Sequence, residues 1–236
     1  MSKNNNELLP PIRSKNIFTD IYYFLICKPS EKTHLKFASE KEQQKYKYRI
    51  LQRLGISVSD YYILNIHSIG VNVPANYIFQ ELMIWNGNAT CWPNKLAKVE
   101  WVNDSIETIK IDLFGMKKIP MFYLNAIKIQ KTPGALEQDN ARYLLYKCSG
   151  GYPIGVFSMY VRTSIAGEVE LDNSQLFLVV CFNFFGFQTL SKIPGIRSIW
   201  EFIHNRATSH ILIRLKELCE WRFERIKLGK YLDNNT

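Results

Sequence analysis

The chain has 236 residues, 47% of them apolar and 14% aromatic, enough to build a sizeable core in one large domain or two small ones; that excludes global disorder. The net charge of +9 suits acidic partners, and it is uneven: 11 Lys+Arg face 6 Asp+Glu over residues 1–60, 11 face 10 over 61–194, and 8 face 5 over 195–236. Five cysteines without a CxxC pair exclude a disulfide framework and fit a reducing, cytoplasmic compartment.

Residues 1–16 read as a flexible arm punctuated by Pro10-Pro11, lacking the residue order of a secretory signal. The apolar run IFTDIYYFLIC is too short to cross a bilayer, and residues 17–26 read as a short helix, with a strand as the alternative. After the polar linker KPSEKTHLKF, a helix is predicted from Ser39, built of good helix formers and stopped by Gly55. Its first half is wet, and Tyr48, Ile50, Leu51 and Leu54 are expected to dock its end. Residues 1–59 thus form a basic, partly helical extension.

From Tyr61 the pattern changes. YYILNIHSIGV reads as a strand rich in Ile and Tyr. Pro74 fits the first position of a helix, where its missing N–H costs nothing, and ANYIFQELMIW continues it with Tyr77, Ile78, Leu82 and Trp85 on one face. NGN breaks it, and after Trp92 a second short helix is predicted over PNKLAKVEW. Extended segments follow at IETIKIDLF, MFYLNAIKIQK and RYLLYKC. In VFSMYVR, Phe157, Met159 and Val161 alternate with Ser158, Tyr160 and Arg162. QLFLVVCFNFFGF is apolar on both faces, as in a strand covered on both sides, and the N-terminal apolar segment is the expected cover of its outer face. One long helix closes the chain from about Gly195 to Lys230, with Ile199, Ile203, Ala207, Ile211, Leu215 and Leu218 as its apolar stripe. Residues 231–236 read as a flexible tail.

Searches for chemistry return little. SGGYPIG is not a phosphate loop, and no GxSxG elbow is present. The four histidines have no metal-ligand spacing, so neither a metal nor a cofactor is expected. His204, beside the helix stripe, reads either as a polar group at a cavity wall or as a partly exposed helix histidine, and the pattern favours the second. His67 reads as a satisfied sheet histidine. Trp85, Trp92, Tyr146, Phe157, Met159 and Trp200 suit either an apolar pocket or ordinary core packing. No nucleic-acid motif is present, so specific nucleic-acid binding is not expected.

The order strand, two short helices, a run of strands and one long helix resembles the helix-grip fold of the START/polyketide-cyclase (SRPBCC) superfamily, carried by IGVNVPANYIFQEL, WPNKLAKVEW and IWEFIHNRATSHILIRLKELCEWRFERI over about residues 60–230. The resemblance implies an α+β fold in which an antiparallel sheet wraps a long C-terminal helix, with a space between them suited to an apolar ligand. It sets Tyr146, Phe157, Met159 and Val161 opposite Trp200, Ile203, His204, Ala207 and Ile211, with Trp85 and Trp92 bracketing the break between the short helices. Three readings stay open. The first is binding or transport of an apolar or amphipathic molecule, with the basic extension meeting an anionic membrane or an acidic protein. The second is a cyclase or hydrolase using His204 and Tyr146. The third is a partner-binding protein with a filled core.

Overall fold

The computed structural model describes residues 18–19, 22–56, 63–83, 97–101, 108–113, 123–128, 142–150, 154–166, 169–182 and 193–233. Seven strands, β1 (Ile63–Val71), β2 (Ala97–Trp101), β3 (Thr108–Leu113), β4 (Tyr123–Lys128), β5 (Tyr143–Gly150), β6 (Ile154–Ala166) and β7 (Val169–Phe182), form one antiparallel sheet in the order β1-β7-β6-β5-β4-β3-β2. Among the described residues three α-helices of a turn or more accompany them: α1 (Glu40–Arg53), α2 (Ala75–Met83) and α3 (Ile196–Asp233). The architecture is α+β, as expected, and α3 runs three residues past its predicted end.

The register explains the two faces of the sheet. Asn65, Val180 and Phe157 follow one another across β1, β7 and β6, and Tyr146 of β5 continues the row. The next rows are His67, Leu178, Met159 and Leu144, then Ile69, Leu176 and Val161. Nearly all these side chains pack into one core with Leu212, Ile213 and Cys219 of α3 and Ile78 and Leu82 of α2. The alternation of Phe157, Met159 and Val161 with Ser158 and Tyr160 is therefore the alternation of two buried faces.

The opposite face, with Ile66, Val179, Phe177 and Leu145, is covered by Ile50, Leu51 and Leu54 of α1 and by Leu35 and Phe37 of the segment before it. The apolar segment itself is not the cover. Its residues Tyr22–Ile26 form a π-helical turn beside α3. Ser39 caps α1 by accepting from the Glu42 N–H, and Glu42 returns a carboxylate to the Ala38 N–H, a close variant of the capping box. At the other end Gly55 adopts φ +66°, and the Ile56 N–H reaches the Leu51 carbonyl, so glycine ends the helix as predicted. Tyr48 does not dock: it points into solvent, while Ile50, Leu51 and Leu54 are buried.

Three further differences concern local structure. Residues 97–101, predicted as helix, are strand β2. AKVEW alternates with period two, and it pairs antiparallel with β3, Lys98 in register with Asp112 and Glu100 with Lys110. Pro74 stands one residue ahead of the helix and caps it, its carbonyl accepting from the Tyr77 and Ile78 N–H groups. Ile199 is exposed and Ile203, Ala207 and Ile211 are only half-buried; the sheet-facing line of α3 is His204, Thr208, Leu212, Leu215, Cys219 and Phe223.

Candidate functional site

α3 crosses the inner face from the Phe182 end of the sheet to the end where α2 starts. Its far end is clamped. Arg222 Nη1 lies 2.6 Å from Glu81 Oε2, the Tyr77 hydroxyl donates to Glu81 Oε1 at 2.8 Å, and Glu220 accepts from the Asn72 N–H at 2.8 Å. This half of the interior is apolar, lined by Ile69, Val71, Leu176, Leu212 and Cys219.

The other half is polar, and this asymmetry defines the candidate site. His204 is buried, its ring edge-on to Phe182 at 4.8 Å between centroids. Thr208 Oγ1 lies 3.2 Å from its Nε2; no other hydrogen bond to this ring is formed among the described residues. Burial holds the imidazole neutral, with its pKa pushed down to about 3, and the nearby His34 adds to the shift.

Beside it, His67 of β1 is fully buried and its pKa is likewise pushed down to about 3, by burial first and then by His204 and His34. Its Nδ1 lies 2.9 Å from Thr33 Oγ1 and its Nε2 3.1 Å from Asn205 Oδ1, which also accepts from Asn65 Nδ2 at 2.9 Å. Thr33 Oγ1 is 2.8 Å from Ser209 Oγ, which is 2.7 Å from the Asn205 carbonyl. Ser209 donates to the Asn205 carbonyl, and a His67 ring protonated at Nε2 accepts from the Thr33 hydroxyl at Nδ1 and donates to Asn205 Oδ1. A satisfied sheet histidine was the expectation for His67, and this is its physical form. The segment that carries Thr33 is fixed on the edge strand β1, where Leu35 N–H donates to the Ile66 carbonyl and Ser68 N–H to that of Thr33.

The residues singled out from sequence divide into groups. Tyr146, Phe157, Met159 and Val161 come together, with Tyr146 and Phe157 stacked at 4.6 Å, and Trp200 packs against their cluster from α3. Ile203, Ala207 and Ile211 lie outside that cluster, on the flank of the helix. His204 is buried, so the partly exposed reading is corrected. Trp85 and Trp92 lie outside the described residues. Thr208, Thr33, Asn65, Asn205 and Ser209 were missed. The one legible signal was the spacing of His204, Thr208 and Leu212, four residues apart on one helix face. No group of three or more His, Cys, Asp or Glu among the described residues is placed to hold a metal ion, and no described helix is long and apolar enough to cross a membrane.

The strand order and the single long helix decide the architecture. The chain has a helix-grip arrangement, one antiparallel sheet packed against a long C-terminal helix. No family model matches it, and no curated protein sequence does. Among solved structures, the Zhui aromatase/cyclase of a Streptomyces species is similar over 68% of this chain and 95% of its own, with 19% identity and a TM-score of 0.49. Norcoclaurine synthase from Thalictrum flavum, in complex with dopamine and hydroxybenzaldehyde, is similar over 80% of this chain and 96% of its own, with 13% identity and a TM-score of 0.43. In the present helix-grip chain the N-terminal extension adds a second covered face to the sheet.

Proposed function

We propose that the protein binds an amphipathic small molecule between the sheet and α3, with its apolar part along Tyr146, Phe157, Met159 and Val161 and its polar group at His204 and Thr208. The observation that carries this reading is the polar end of an otherwise apolar interior. There His204, neutral and buried, forms one hydrogen bond among the described residues, between its Nε2 and Thr208 Oγ1. A neutral imidazole beside a hydroxyl in an aromatic setting suits a ligand hydroxyl, carbonyl or protonated acid better than a charged group.

The same electrostatics favour binding over acid–base catalysis. A ring that takes a proton only near pH 3 is a weak base at neutral pH, and Tyr146, its proposed partner, is buried in a stack with Phe157. Titration with a fluorescent fatty-alcohol analogue tests the reading. Saturable uptake of one molecule per chain is expected. His204→Leu should weaken it roughly threefold to tenfold, the worth of one hydrogen bond, and Val161→Phe should weaken it further by filling the space. Non-saturating uptake, or equal binding by both variants, would count against it.

A further inference from the structure

We propose that the start of α3 and the N-terminal segment lying along it form a docking surface for an anionic lipid bilayer. The segment is pinned to the helix on one side. The Cys27 carbonyl accepts from Arg206 Nη1 at 3.4 Å and from His210 Nε2 at 3.1 Å, and the Tyr23 ring lies 4.9 Å from that of His210. The other side faces solvent in part. Phe18, Tyr22 and Ile26, four residues apart, are 74%, 59% and 58% exposed. On α3, Ile199 and Phe202 are 58% and 51% exposed. Arg206 joins the two groups: its guanidinium lies 5.2 Å from the Phe202 ring centroid and reaches Cys27, the neighbour of Ile26. Five large apolar side chains around one cation present on the order of 500 Å² of apolar surface, at the upper end of what a monomer leaves bare.

Charge selects the occupant. Around the ridge Lys28, Lys32 and Arg206 stand against Glu31 and Glu201, and Glu31 is engaged with Lys216 at 2.8 Å. Lys28 and Lys32, just beyond the ridge, are exposed. Aromatic and aliphatic side chains that stand out, flanked by lysines, suit the interface of an anionic bilayer, where rings enter the headgroup layer and ammonium groups meet phosphates. The protein would lie on the membrane and not span it. This surface is independent of what occupies the interior.

Cosedimentation of the full chain with vesicles decides the matter. Vesicles with about 30% phosphatidylserine should retain the protein roughly tenfold better than pure phosphatidylcholine, and the difference should shrink in high salt. The variant Phe18→Ser/Tyr22→Ser/Ile26→Ser/Ile199→Ser should lose about tenfold in vesicle binding with an unchanged melting curve, because all four side chains are exposed. Wild-type protein that stays in the supernatant with anionic vesicles, or a variant that binds as well, would overturn the proposal. So would self-association or capture by an acidic protein that the same substitutions abolish while vesicle binding is absent.

Discussion

Lowering the pH from about 6.5 to about 4.5 should remove roughly 5 kcal/mol of folding stability, much of the total of about 5–15 kcal/mol that a domain has. The cause is the buried pair His67 and His204, whose folded pKa values are pushed down to about 3 from 6.5. Between those values the unfolded chain binds protons that the folded chain refuses. Their contribution is therefore complete above pH 6.5 and is lost as the pH falls towards 3, each histidine giving about 1.4 kcal/mol per pH unit. His34, lowered by burial and by Lys36, acts in the same direction. Denaturant melts at a series of pH values check this. His204→Leu should reduce the slope by about half, because Thr208 can then bond back to its own helix. A flat profile between pH 6.5 and 4.5 would refute the assignment of two buried neutral rings.

Leu51→Ala should cost about 2–5 kcal/mol and lower the melting temperature by roughly 5–15 °C. Leu51 is fully buried between α1 and the outer face of the sheet, among Ile66, Val179 and Phe177. The size of this effect tests whether the extension is part of the folded unit. A single, shifted transition is expected. A melting temperature unchanged by the substitution would mean that α1 contributes nothing to the stability of the sheet.

The strands were legible because their patterns are local. Period-two alternation marked VFSMYVR as a strand, its Ser158 and Tyr160 face read as facing solvent though α1's side of the core covers it, and the doubly apolar QLFLVVCF read as a strand covered on both sides. α1 was legible from Ser39 and Gly55, whose cap and stop have the expected geometry. The orientation of α3 was not, for a physical reason. An apolar stripe was sought, but the helix turns His204, Asn205, Thr208 and Ser209 inward, where they are satisfied by each other and by β1 and Thr33. A hydrogen-bonded polar group can occupy a core position that a hydropathy reading gives to its neighbours. The partners that satisfy them come from residues 33 and 65–67, more than 130 positions away, and no local signal joins them. β2 failed differently: its alternation was present, but Pro93 and the three-residue spacing of Leu96 and Val99 suggested a helix, and the pairing with β3 prevails.

Native mass spectrometry of the protein purified from its own cell, followed by extraction and identification of what it carries, tests the central claim of an amphipathic ligand held between sheet and helix. The account predicts one apolar molecule with a single uncharged polar group per chain, with occupancy lowered in His204→Leu and lower still in Val161→Phe. An empty chain that also takes up no fatty-alcohol analogue would contradict it and leave the interior as a packed core.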